Sequence, residues 1–234
     1  MNSNNVLDVV NQEVSILPQT DLTKELVLQA IERIKKQTLN ILLVGATGVG
    51  KSSTINAVFN ADVAKVGYSP EPETNSTQTY TLGNLILWDT PGLGDSPEND
   101  SINAMQIANA LKARDSQGNL LIDLVLVIVD GSSRDLKTTY EVIEQIIAPY
   151  IGEQNRILVA INQCDLALKG RDWSDETGPG SRLTAFLEEK VISIQQRLIA
   201  STGIHTQPVY YSALYRYNIS KCGYPFSSAI EKAR

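Results

Sequence analysis

GATGVGKS (Gly45–Ser52) follows directly on the apolar run ILLV (Ile41–Val44). It fits the pattern G-x-x-x-x-G-K-S, in which a glycine-rich turn after a strand curls its backbone N–H groups around phosphate. Glycine at 45, 48 and 50 permits that curl, because it tolerates φ > 0 and lets the main chain approach a ligand closely. Lys51 is placed to meet the β- and γ-phosphates as a point charge, and the Ser52 hydroxyl to ligate Mg²⁺. Ala46, Thr47, Val49 and Ser53 complete the cradle. A helix opening near Gly50 adds its N-terminal donors and dipole. The motif's neighbours fit: ILLV has the pattern of a short buried strand, and Ile55, Val58 and Phe59 fall on one face of a following helix.

Outward from this loop, strands alternate with helices. TYTLG and NLILWD form two strands about a Gly83-Asn84 turn, a hairpin signal. Ile102, Met105, Ile107, Ala108 and Leu111 mark a helix, LLIDLVLVIVD a buried strand, and Tyr140, Ile143, Ile146 and Ile147 a helix that Pro149 ends. RILVAIN is a strand, Leu183 to Thr202 a long helix and PVYYSA a final strand. The expected fold is α/β, a three-layer αβα sandwich with a mostly parallel sheet and one antiparallel edge strand from the hairpin. Residues 1–38 read as a helical N-terminal extension, with Val6, Val10, Val14 and Leu17, then Leu22, Leu26, Ala30 and Ile34, spaced along amphipathic faces. Residues 39–220 form the nucleotide-binding domain, and 221–234 a short or truncated closing segment in which Gly223 and Pro225 interrupt any helix.

Composition narrows the class. A hydrophobic fraction of 42% over 234 residues supports a sizeable core. The most apolar run, Leu120 to Val129, is too short to span a bilayer and contains Asp123. The N-terminus lacks the basic start and apolar stretch of a signal peptide. Two cysteines, Cys164 and Cys222, imply no disulfide framework, so a reducing cytoplasm is the expected compartment. A net charge of −6 argues against bulk electrostatic binding to RNA or a ribosome.

The base must be read away from the phosphate loop. Two acids end strands, Asp130 in VLVIVD and Asp89 in LILWDTPG. Asp89 has the richer context: its carboxylate can hold Mg²⁺ through a water while the Gly92 N–H reaches a γ-phosphate and senses its loss. NQCD (Asn162 to Asp165) follows the strand RILVAIN. Guanine presents two donors along one edge, N1–H and the 2-amino group, and the Asp165 carboxylate can accept both in a fork. Adenine offers no such pair, and a site built for a donor rejects the analogue lacking it by roughly 10⁴- to 10⁵-fold. One strand later, YSA brings the Ala213 N–H within reach of the guanine O6, next to Ser212. His205 and Arg134 read as loop residues and Cys164 as a packing residue, while Trp173, in the polar loop RDWSDETGPGS, is expected to pack on the base-side loops, with a partner contact as the alternative.

GATGVGKS, DTPG (Asp89 to Gly92), NQCD and SAL (Ser212 to Leu214) occur in the order of the G1, G3, G4 and G5 motifs. Over roughly residues 39 to 215 the chain therefore resembles the Era-like branch of the translation-factor-related GTPases, within the group that also holds TrmE, EngA and septins. The resemblance is nearest to the bacterial YfjP/YkfA-like proteins, and more distant to the immunity-associated GTPases with TGVGKSS loops. It implies a GTP- and GDP-binding protein that hydrolyses GTP slowly with Mg²⁺ and acts as a nucleotide-dependent switch. By the same resemblance Thr77 in STQTYTL is the G2 threonine that ligates Mg²⁺ and meets the γ-phosphate, with Thr74 the alternative. Lys51, Thr77 and Gly92 are then the residues at the reacting phosphate, and Ser52, Thr77 and Asp89 the metal set.

Two departures stand out. Gln163 occupies the place of the usual G4 lysine, so the charge on that arm is gone and the guanine site is open to question. An ATPase using Asp130 stays open for the same reason. Leu93 follows DTPG where Ras-like enzymes carry a water-orienting glutamine. Acceleration then requires another loop, a bound cation such as K⁺, an activating protein or a nucleotide-dependent homodimer. A binding and assembly module with little turnover is the competing reading.

Overall fold

A computed structural model describes residues 38–59, 77–82, 84–94, 96–151 and 156–219. The N-terminal extension, the closing segment and Thr74 lie outside the described residues. The chain runs β1 (Leu39–Val44), α1 (Lys51–Phe59), β2 (Gln78–Leu82), β3 (Leu85–Asp89), α2 (Pro97–Lys112) and β4 (Leu124–Asp130). A helix α3 follows, opening at Lys137–Glu141, widening to a π turn at Val142–Ile147 and closing at Ala148–Ile151. Then come β5 (Ile157–Asn162), a 3₁₀ segment (Cys164–Gly170), a small hairpin of β6 (Trp173–Ser174) and β7 (Gly178–Pro179), α4 (Ser181–Thr202) and β8 (Val209–Tyr210).

Among the described residues six strands form one sheet in the order β2-β3-β1-β4-β5-β8. Only β2 is antiparallel, paired to β3 with Gln78 opposite Asp89. The inner strands are apolar on both faces, the pattern of a sheet covered on both sides. In β4 the residues Val125, Val127 and Val129 join a cluster with Ile107, Leu111, Ile143, Ile147, Ile194 and Leu198, so α2, α3 and α4 cover that face. Leu124, Leu126 and Ile128 point the other way, with Ile41, Leu43 and Ile55, so α1 covers the opposite face. The three-layer αβα sandwich with one antiparallel edge is the architecture expected.

Two local expectations, the end of the helix around Ile143 and the length of the last strand, need correction. The helix around Ile143 passes through Pro149 to Ile151. The wider π turn just before Pro149 opens the hydrogen-bond ladder where a proline ring and its missing N–H would otherwise break it. The helix marked by Ile102, Met105 and Ile107 is present as α2, which turns Asn103, Ile107 and Leu111 inward and leaves Ile102 and Met105 exposed by 51% and 60%. PVYYSA pairs with β5 only at Val209–Tyr210, after which the chain turns away into a loop.

Parallel strands all point one way, so the loops after β1, β3, β4, β5 and β8 gather at one edge of the sheet. The crevice beside β1, where the strand order reverses, is the place such a fold holds ligands.

Candidate nucleotide site

The phosphate loop joins β1 to α1, with Gly48 and Gly50 at φ 78° and 87° as the curl demands. Lys51 is only 7% exposed, and its Nζ donates to the carbonyls of Gly45 and Ala46 at 3.0 and 3.1 Å. The ammonium is thus held inside the loop, at the place where phosphate oxygens would sit. Thr54, one turn into α1, donates to Gly50 O at 2.7 Å and lies 2.6 Å from the Tyr211 hydroxyl, which fixes the helix start against the loop after β8.

At the end of β3, Asp89 is 1% exposed. Ser52 Oγ donates to its Oδ2 at 3.0 Å, whereas Oδ1 is buried with no hydrogen-bond partner among the described residues. Burial raises the Asp89 carboxyl above its ordinary value, and the Lys51 charge and the Ser52 hydroxyl only partly offset this. An orphaned, desolvated carboxylate oxygen beside a serine hydroxyl has the chemistry of a hard-cation site, so Ser52 and Asp89 fit Mg²⁺. Thr77 immediately precedes β2, whose Gln78 lies opposite Asp89, and so stands at the same edge. Its hydroxyl is 3.5 Å from Gln106 Oε1 of α2.

The segment after Asp89 lies on the phosphate loop. Thr90 Oγ1 donates to Leu43 O at 2.7 Å, and Asn103 Nδ2 holds the Gly92 carbonyl at 2.8 Å. Leu93 forms a parallel bridge with Ala46: the Thr47 N–H donates to Leu93 O at 2.9 Å. Gly92 packs so closely that a Cβ there would lie 2.6 Å from the Thr47 Cα. The Leu93 side chain, 3% exposed, points into the core with Leu42 and Val44. Asp130 does not share in this cluster. Its Oδ1 accepts from the Ser132 N–H and hydroxyl, both at 2.7 Å, and so closes the turn after β4.

NQCD and the loop after β8 meet beside the phosphate loop. Asn162 is 2% exposed; its Nδ2 donates to Val49 O at 2.9 Å and its Oδ1 accepts from the Ala213 N–H at 3.0 Å. One side chain therefore ties the phosphate loop to the base loop. The Ala213 N–H expected to meet the guanine O6 is in this structure donated to Asn162. Gln163, in left-handed conformation at φ 58°, reaches back to donate its Nε2 to Gly48 O at 2.9 Å. It ties NQCD to the phosphate loop without supplying a charge. Ser212 is fully buried, with its N–H on Tyr217 O at 3.1 Å and its Oγ accepting from the Tyr215 N–H.

These loops enclose a cavity of about 300 Å³. Gly50 and Ser53 line it from the phosphate loop, Asn162, Gln163 and Asp165 from NQCD, and Ala213 from the base loop. Asp165 stands in its wall, 5% exposed. Leu214, the last residue of SAL, also lines it, and sequence reasoning missed Asn56, Leu166 and Arg216, which line the same cavity. Spacing carries no signal for them, because they meet only through the fold. The polar loop RDWSDETGPGS folds into a small hairpin, and its Trp173 meets Tyr215 and Tyr217 of the loop after β8.

A family model described as 50S ribosome-binding GTPase matches residues 40–163. The uncharacterized protein YkfA of Escherichia coli (strain K12) is 30% identical over 171 residues, covering 71% of this chain and 55% of its own. The chain thus spans about half the length of that relative. Among solved structures, Era with MgGDPNP and a segment of 16S ribosomal RNA matches with a TM-score of 0.57 at 18% identity, over 82% of this chain and 57% of that one. A dimerization-deficient mutant of Toc33 from Arabidopsis thaliana matches with a TM-score of 0.56 at 19% identity, over 86% and 81%. These two likenesses concern the fold. Among the described residues no helix is long and apolar enough to cross a membrane. With its family model covering more than half of the sequence, the chain belongs to the 50S ribosome-binding GTPase family, as an Era-like P-loop GTPase of the YkfA-like group.

Proposed function

We propose that this chain binds GTP and GDP with Mg²⁺ and switches conformation between them. The observation that carries this reading is the meeting of a phosphate-cradling loop and a base-sized cavity at one sheet edge, bridged by Asn162. Lys51 and the amides of Gly45 to Ser53 would hold the phosphates, and Asp165 would select guanine. Ser52 and Asp89 would hold Mg²⁺, with Thr77 joining them. The cation supplies charge neutralisation to the phosphates when bound.

Switching rests on the contact between Leu93 and Ala46. The Thr47 N–H, a natural phosphate donor, is spent on the Leu93 carbonyl. A terminal phosphate competes for that donor, so its arrival frees the segment from Asp89 to Gly94, and α2 is coupled through Asn103. Turnover is slow on this reading, because the buried Leu93 side chain can neither orient nor polarise water. Acceleration would come from outside the chain: a partner, K⁺, or a second copy, the last in keeping with a fold neighbour whose dimerization has been the target of mutation. RNA contact is less well supported, given the net charge of −6. The same burial of Leu93 favours, as the second reading, a nucleotide-dependent assembly module with little turnover. The cytoplasm remains the expected compartment.

Calorimetric titration of purified, nucleotide-free protein with GDP and with ADP, in Mg²⁺, tests the central claim. Strong preference for GDP is expected. Equal affinity, or preference for ADP, would mean that Gln163 marks a lost guanine site.

A further inference from the structure

The loop after β8 alternates in its use of side chains. Leu214 and Arg216 line the cavity, while Tyr215 and Tyr217 turn to the other side and meet Trp173. The ring centroids of Trp173 and Tyr215 are 5.3 Å apart, and those of Trp173 and Tyr217 are 5.5 Å apart in an edge-on arrangement at 85°. Both distances lie within the range of favourable aromatic pairing. Asp175 reinforces the contact: it accepts from Trp173 Nε1 at 3.2 Å, and the Tyr215 hydroxyl also bonds to it.

The hairpin carrying Trp173 is itself firmly seated. The Gly180 N–H donates to Asp172 O at 2.7 Å, closing the hairpin at its base. Asp172 Oδ2 accepts from the Leu183 N–H at 3.0 Å, in the first turn of α4. Gly178 lies against the Tyr217 ring, where a Cβ would approach the ring's Cδ2 to 2.9 Å. The base loop, by contrast, carries two non-glycine residues in left-handed conformation, Arg216 at φ 53° and Asn218 at φ 58°. Such residues persist only where the surroundings hold them. Leu214 is 76% exposed, so core packing does not hold that part of the loop.

We propose that Trp173 is a positioning residue of the base site: from a hairpin anchored on α4 it holds Tyr215 and Tyr217, and thereby sets Leu214, Arg216 and Ala213 around the purine. The proposal rests on the reading of this cavity as the guanine pocket. It separates two halves of the nucleotide site, since all three rings belong to the hairpin and the loop after β8.

The test compares the wild type with Trp173→Ala and Trp173→Phe, each titrated calorimetrically in Mg²⁺ with GDP and with inorganic tripolyphosphate, a probe that has no base. Trp173→Ala should weaken GDP binding about tenfold, the scale of its two lost aromatic pairs. Tripolyphosphate binding should stay unchanged, and Trp173→Phe should restore most of the GDP affinity. If Trp173→Ala does not fold, Tyr215→Leu removes one ring from a half-exposed position and should cost about threefold by the same reasoning. Unchanged GDP affinity would overturn the proposal, and so would an equal loss for GDP and tripolyphosphate, which would indicate general destabilisation. A wild type that binds GDP no better than ADP refutes the guanine reading itself, and this proposal with it. A wild type that prefers GDP, with a Trp173→Ala variant that binds it equally well, refutes the proposal alone.

Discussion

Replacing Asn162 with Ala isolates the strut between the two halves of the site. The side chain is 2% exposed and serves Val49 O at 2.9 Å and the Ala213 N–H at 3.0 Å. Its removal leaves one buried acceptor and one buried donor without their partner. Each such group costs roughly 1–3 kcal/mol, and the openness of the neighbouring cavity to water places the sum near about 3 kcal/mol. For a domain of this size 1 kcal/mol moves the melting temperature by roughly 2–4 °C, so the expected fall is about 6–12 °C. The assay is thermal denaturation followed by circular dichroism, with nucleotide removed and EDTA present. Asn162→Asp has nearly the same shape but keeps only the acceptor at neutral pH. It should retain the Ala213 contact and lose the one to Val49. A fall of less than about 2 °C for Asn162→Ala would refute the claim that this residue carries the junction.

Asp165→Asn should weaken GDP binding and improve binding of xanthosine diphosphate, because the amide donates where the carboxylate accepted; unchanged GDP affinity would remove Asp165 from base recognition. The Asp89 carboxyl is raised by burial above the ordinary value of 3.8, so in metal-free protein its contribution to stability is present at low pH and is lost as pH rises through the folded-state value. Asp89→Asn should therefore melt higher than wild type in EDTA by a margin that grows with pH across that window, and Mg²⁺ with GDP should reverse the order. A margin that does not change with pH would rule out this account of the buried carboxylate.

Much of this protein was legible from the chain alone, and for a local reason. GATGVGKS needs only its own glycines, its lysine and a strand on one side with a helix on the other. All of these lie within about twenty residues, so composition and spacing report them directly. The strand patterns were equally plain, because a parallel sheet buried on both faces writes itself as runs such as LVLVIVD. Pro149 misled because a π turn can absorb it.

The tertiary structure decided what joins the motifs. Asn162 meets Val49 across 113 residues of chain, and Gln163 meets Gly48 across 115. The Leu93 carbonyl reaches Thr47, and Trp173 reaches Tyr215. None of these contacts leaves a periodic trace, because a hydrogen bond between loops depends on where the sheet delivers their ends and not on the residues beside them. The sequence determined which chemistry each loop can perform. Only the fold determined that the loops share one cavity, and that a leucine carbonyl, a glutamine amide and an aromatic hairpin hold its parts in place.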